Sequence, residues 1–177
     1  MYTLKLQKEF DIPADILWNV VAREYANVSD SHPAIVKSEF INGHSEVKLG
    51  SERLCNFDEQ GKQYLKERIV EFDEKNRTFT NMVWEAGQFP IDTGKTQGTF
   101  IVDELGNGKS KVTFIMNYQT KPALMGSLVK SQFKKRIKDY FISIEHYART
   151  GEKITLENFK SIRKQYNDEA KKIEVIA

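Results

Sequence analysis

Three histidines, one cysteine and a set of large aromatic residues are the side chains here best suited to bind or to react. His32, His44 and His146 stand far apart, and none has a second ligand at a metal spacing such as His-x-x-x-His. No metal is expected. The sequence holds no Gly-x-Ser-x-Gly elbow, no phosphate loop and no dinucleotide fingerprint, so no cofactor is implied. Cys55 has only Arg53 as a basic neighbour and reads as a small core or surface group, not as an activated thiolate. His44 falls in a turn and His32 ends a loop before Pro33. His146 lies beside an apolar stripe, either satisfied, exposed or turned toward a cavity.

The apolar residues offer a different chemistry. Phe40, Met82, Trp84, Phe100, Phe114, Met116 and Tyr118 lie on strand-like segments, and Phe133, Ile137, Tyr140, Phe141 and Ile144 on a helix-like one. Any one of them reads first as core packing. As a set they are large and adaptable, as side chains around a bound apolar molecule are. Trp84 and Tyr118 add polar tips able to hydrogen-bond a ligand.

The elements that must position these residues follow from periodicity. Residues 2–8 alternate Tyr2, Leu4 and Leu6 against Thr3, Lys5 and Gln7, the pattern of a half-buried strand. Pro13 and Asp15 suit the first turn of a helix whose apolar residues are Ile16, Leu17, Val20 and Val21. Strands are then expected over 35–41, 52–57, 62–72, 77–86, 96–104 and 109–119, separated by turns such as Asp58-Glu59-Gln60-Gly61 and Gly106-Asn107-Gly108. Such short links imply consecutive antiparallel strands. After Pro122 a stripe from Met125 and Leu128 through Phe133, Ile137, Phe141 and Ile144 predicts a long helix ending at Gly151. The class is α+β, and one sheet with two faces and few helices is expected to curl around the long helix.

Phe10-Asp11-Ile12-Pro13-Ala14-Asp15-Ile16-Leu17-Trp18, Gly50-Ser51-Glu52-Arg53, and Glu67-Arg68 followed by Glu71-Phe72-Asp73, in that order and ahead of the long helix, resemble the START-like (SRPBCC) superfamily. That group includes the birch-pollen-allergen fold, polyketide cyclase/dehydrase-like proteins and plant abscisic-acid receptors. The resemblance covers roughly residues 2–150. It implies a helix-grip fold, a curved antiparallel sheet wrapped around a C-terminal helix with a ligand cavity between them. Domain bounds of 1–150, with a helical extension over 151–177, follow.

Within this resemblance Ile35-Val36-Lys37-Ser38 is similar to the receptor strand whose lysine meets a ligand carboxylate. Lys37 is then a ligand-binding candidate, with Glu67 as its partner or as an orienter of water, since a buried ammonium needs a partner. Arg53 follows the same logic. The alternative has Lys37, Arg53 and Glu67 facing water on the outer sheet surface; strand alternation leaves both readings open, because both faces mix polar and apolar residues. The hairpin after Arg53 lacks the receptors' Ser-Gly-Leu-Pro gate, which argues against a hormone receptor.

Residues 155–173 form an amphipathic helical pattern with Thr155 as cap, expected to pack on the domain or to form a homodimer contact. Its lysines and arginines are diluted by Glu157, Asp168, Glu169 and Glu174, which argues against a membrane surface there. A chain of 177 residues with 40% hydrophobic and 29% charged residues suits one domain that buries roughly 70% of its surface. A net charge of +2 is too small to call for nucleic acid. No stretch approaches the roughly 18 apolar residues of a membrane span. The first residues lack a signal-peptide core, and a lone cysteine allows no internal disulfide. A cytoplasmic location is expected. Three functions are compatible with these features: binding or transport of a small lipid-like, aromatic or polyketide-like molecule; a cyclase or dehydratase using Lys37, Glu67, Tyr118 or His146; and an interaction domain whose cavity is filled by its own side chains.

Overall fold

Alternation decides the sheet. Along the first strand, β1 (Tyr2–Phe10), Leu4, Leu6 and Phe10 turn inward and are buried, while Thr3 and Glu9 face water. The computed structural model describes residues 1–176. Six further strands follow the expected turns: β2 (Lys37–Phe40), β3 (Glu52–Asn56), β4 (Tyr64–Asp73), β5 (Thr78–Gly87), β6 (Thr96–Gly106) and β7 (Lys109–Tyr118). With β8 (Glu174–Ile176) they form one sheet in the order β2-β3-β4-β5-β6-β7-β1-β8, every pair antiparallel. Two register shifts in β4, at Lys66/Glu67 and Ile69/Glu71, bend the sheet.

Helix α1 (Ala14–Trp18) runs into a wider turn over Asn19–Arg23 and tight turns over Tyr25–Asp30. Its Leu17 and Trp18 are wholly buried, and the Trp18 ring packs on Phe72 and Phe79. The long helix α2 (Gly126–Thr150) crosses the concave face of the sheet. It ends at Gly151, whose left-handed backbone (φ 70°) lets its N–H reach the Tyr147 carbonyl at 2.8 Å. Gly126 is required at the other end, because a Cβ there would lie 1.9 Å from the Tyr2 ring. Leu128 does not join the packed stripe. It lies half a turn out of phase with Ile137 and is 72% exposed.

The tail departs from a single helical pattern. It divides at Tyr166 into α3 (Leu156–Gln165) and α4 (Asn167–Lys171), and β-branched Val175 and Ile176 then add a strand beside β1. Thr155 caps α3 as expected, accepting from the Asn158 N–H at 3.1 Å while the Asn158 side chain accepts from Thr155 N–H at 2.8 Å. Buried Ile154, Ile162 and Ile173 tie the tail to the core.

One inward position on β1 is a lysine. Lys8 is 1% exposed, and its ammonium lies 2.7 Å from Glu145 on α2 and 3.2 Å from Glu169 on α4, with the Phe10 ring centroid at 4.2 Å. Arg149 also reaches Glu145, at 3.1 Å. A charge so enclosed persists only with such partners. Lys8→Met, which leaves Glu145 facing an apolar side chain, is expected to lower stability by about 3–5 kcal/mol in chemical denaturation. The double variant Lys8→Met/Glu145→Leu is expected to recover most of that loss.

Candidate functional site

Between the inner face of the sheet and the middle of α2 lies a cavity of about 180 Å³. Leu65, Val83, Phe100, Phe114 and Met116 wall it from the sheet, and Phe133, Ile137 and Tyr140 from the helix. Gly98 belongs to this wall as well; a Cβ there would come within 2.9 Å of both Asn81 Oδ1 and the Phe114 ring. Phe57, Phe89 and the exposed Arg136 mark the opening, with the guanidinium 5.9 and 6.0 Å from the two ring centroids.

The polar side of the cavity comes from β3, β4 and β5. Arg53 and Glu67 face each other across the β3–β4 hairpin, and Arg53 Nε donates to Glu67 Oε2 at 2.7 Å. Arg53 Nη1 donates to the Tyr25 carbonyl at 2.7 Å, and the guanidinium stacks 3.9 Å from the Tyr25 ring centroid. Asn81 Nδ2 donates to Glu67 Oε1 at 2.7 Å, and the Cys55 thiol approaches Glu67 Oε2 at 3.8 Å. Burial by itself would lower the Arg53 pKa, but the Glu67 charge outweighs it and the guanidinium stays charged.

Three further titratable groups on the wall, His32, Cys55 and Tyr140, are held neutral. Burial, reinforced by the positive charges of Arg53 and Arg136, pushes His32 down to about 3. His32 Nδ1 accepts from the Ala34 N–H at 3.1 Å, which places the ring proton on Nε2, and the ring stacks on Tyr140 at 4.8 Å. Burial pushes the Cys55 thiol up to about 12, and it raises the Tyr140 hydroxyl to about 12 as well. None of these three is in a reactive ionised form at neutral pH.

Of the residues expected from sequence, Glu67, Phe100, Phe114, Met116, Phe133, Ile137 and Tyr140 line the cavity. Lys37 does not: its side chain is 61% exposed at the sheet edge and pairs with Glu39 at 2.8 Å, because β2 turns Ser38 and Phe40 inward instead. Phe40 packs near Tyr25, ring centroids 6.4 Å apart, outside the cavity. Met82 and Trp84 lie on the outer sheet face, since β5 directs Asn81 and Val83 inward; Met82 stands opposite Arg68, and Lys66 and Arg68 cover the Trp84 ring. Tyr118 donates its hydroxyl to the Gly126 carbonyl at 2.9 Å and so fastens the start of α2. Phe141 and Ile144 belong to the packed core beyond the cavity. His146 meets Glu152 at 2.9 Å, away from the lining. Asn81 and Arg136 were not singled out by sequence. Arg53, a candidate from sequence, stands opposite Glu67 because of the β3–β4 register.

Comparison with known proteins agrees with this architecture. The profile of a family described as polyketide cyclase / dehydrase and lipid transport matches residues 1–142. Ara h 8.0201 superposes with a TM-score of 0.69 at 20% identity, covering 84% of this chain and 98% of that one. A protein from Thermobifida fusca gives 0.68 at 20% identity, covering 84% and 93%. Norcoclaurine synthase from Thalictrum flavum gives 0.61 at 18% identity, covering 84% and 87%. These likenesses establish the helix-grip fold.

Two outcomes are expected from the site's electrostatics. Arg53→Met, which leaves Glu67 without its countercharge, is expected to cost about 3–5 kcal/mol by denaturant titration, and adding Glu67→Gln to restore much of it. The His32 ring in the folded protein stays neutral far below the ordinary 6.5, whereas the unfolded chain takes up a proton there. Its contribution to stability is therefore full above pH 6.5 and is lost as pH falls toward about 3. Ring 15N shifts that stay constant from neutral pH to pH 5, with Nδ1 unprotonated, and a shallower acid loss of stability in His32→Phe, are the expected readouts.

Proposed function

Because the chain belongs to the polyketide cyclase / dehydrase and lipid transport family, we propose that it binds a compact, neutral aromatic molecule in the cavity under α2. The observation that carries this reading is the cavity itself: about 180 Å³, apolar over most of its wall, with one internally neutralised ion pair on one side. An apolar cavity of roughly 150 Å³ accommodates benzene, and drug-sized ligands occupy roughly 300–1,000 Å³. A single ring with small substituents therefore matches the space, and a long acyl chain or a multi-ring sterol exceeds it. Met116 and the aromatic wall supply polarizable contacts.

The polar side suits an oxygen acceptor. Arg53 spends Nε and Nη1 on Glu67 and Tyr25, and its Nη2 has no hydrogen bond among the described residues. A ligand carbonyl or hydroxyl oxygen at that position would satisfy it. Glu67 is already engaged by Arg53 and Asn81, so no free carboxylate invites a cation. These features favour binding over a cyclase or dehydratase reaction. Acid–base catalysis needs two groups converging on one substrate position, and of Lys37, Glu67, Tyr118 and His146 only Glu67 reaches the cavity. The open volume likewise favours a ligand over an interaction domain filled by its own side chains.

Native mass spectrometry of freshly purified protein, followed by solvent extraction and titration with phenol, acetophenone and indole, tests the proposal. A stoichiometric small aromatic, retained or added, supports it, and Val83→Phe should abolish that binding while still melting cooperatively. A retained fatty acid or sterol, or failure of every probe to shift ligand-observed NMR signals, would overturn it.

A further inference from the structure

The modest net charge of +2 conceals a separation of charge. From Leu105 to Lys138 the chain carries no acidic residue. Three cations in this stretch are neutralised by neighbouring elements: Lys109 by Asp11 at 3.0 Å, Lys111 by Asp103 at 3.1 Å and Lys121 by Asp92 at 2.9 Å. The other five, Lys130, Lys134, Lys135, Arg136 and Lys138, make no ion pair among the described residues. They sit in the N-terminal half of α2, the helix that roofs the cavity. Asp139, which ends the run, is taken by Arg163 at 3.3 Å.

Helical geometry spreads these cations around the solvent side of α2. Lys130, Lys134 and Lys138 follow one another at four-residue steps along one flank, Arg136 lies on the other, and Lys135 lies between them, seven residues from Leu128 and on its side. Leu128 is 72% exposed and Leu124, in the turn just before the helix, 87% exposed. Two large aliphatic side chains standing in water in a segment whose only charged residues are basic are not explained by the fold, whose packed stripe begins at Val129. Arg136 joins this face to the cavity, since it is exposed and also borders the opening beside Phe57 and Phe89.

We infer that the outward face of the N-terminal half of α2 docks the cavity opening onto an anionic lipid surface. Lysines attract anionic headgroups, and their aliphatic stems allow the charge to stay at headgroup level while Leu124 and Leu128 enter the acyl boundary. The leucines decide between polyanions: a nucleic-acid backbone gives them nothing to bury against, and a bilayer does. Docked this way, the opening faces the membrane, and an apolar ligand passes between bilayer and cavity with little exposure to water. The surface is present whatever occupies the cavity, so the test uses the full chain without added ligand.

The assay is co-sedimentation with vesicles of phosphatidylcholine and phosphatidylserine, against vesicles of phosphatidylcholine alone, at low and at raised salt. Binding is expected to the mixed vesicles only and to weaken with salt. Lys130→Gln/Lys134→Gln/Lys135→Gln is expected to lower the partition about 100-fold, each cation contributing about fivefold. Leu124→Ser/Leu128→Ser should weaken binding while leaving its salt dependence in place. All five positions lie outside the cavity lining, and an unchanged thermal melt confirms that each variant is folded. The inference is overturned if the wild-type protein binds neither vesicle, binds both equally, or if the lysine variant binds as the wild type does. Tighter retention on duplex DNA than on the mixed vesicles at the same salt would also overturn it, assigning the face to nucleic acid.

Discussion

The ion pair between Lys8 and Glu145 determines where α2 lies, and the cavity depends on where α2 lies. A sheet curved over a single helix needs that helix held firmly, yet not pressed flat along its whole length. Here the two ends are fastened and the middle spans the gap. At one end Tyr118 donates to the Gly126 carbonyl and the Tyr2 ring fills the space where a side chain would stand. At the other, Lys8 reaches from the inner face of β1 to Glu145, and Phe10 meets Phe141 at 6.3 Å. The two fixed points are separated by roughly 28 Å of helix, at about 1.5 Å per residue. Phe133, Ile137 and Tyr140 lie between them and form the roof. The tail takes part, because Glu169 on α4 is the second carboxylate at Lys8.

Behind Arg136 at the opening, charge inside the site is cancelled before any ligand arrives. Arg53 and Glu67 satisfy each other, the Tyr25 ring covers the guanidinium, and Asn81 occupies the second carboxylate oxygen. An ionic ligand passing beyond Arg136 at the opening would find no free countercharge inside and would lose its hydration, a cost that a neutral ring does not bear. Polarity remains only as hydrogen-bond direction, chiefly as donors. The side chains nearest to reactivity, Cys55, His32 and Tyr140, are kept neutral by the same burial that shapes the pocket.

Turn chemistry and alternation made most of the architecture legible in the sequence. The six strands after α1, the long helix and its stop at Gly151 occur where period and turn residues place them. The inward face was harder to read, because it carries polar groups at the positions that matter. Asn81 on β5 and Arg53 on β3 interrupt the apolar pattern, so Met82 and Trp84 looked like the buried set when they are the outer one. Lys8 was hidden for the same reason: after Tyr2, Leu4 and Leu6 a lysine looks like the end of the buried run. Its partner stands 137 residues further along the chain, beyond the reach of any local pattern. β8 was missed because three residues after two short helices carry too little period to declare a strand.

The position of Lys37 has a bearing on how these molecules tolerate one another. An open sheet ends in two rows of unpaired backbone groups, and such rows invite strands from other chains. Here one edge is β8, only three residues long, and the other is β2, only four. On β2 the side chains turned to solvent are Lys37 and Glu39, a charged pair on the strand most open to addition. A neighbouring molecule seeking to extend the sheet would find a brief ladder and would have to strip water from both charges. Resistance to edge-to-edge aggregation thus rests on a lysine that never touches the cavity.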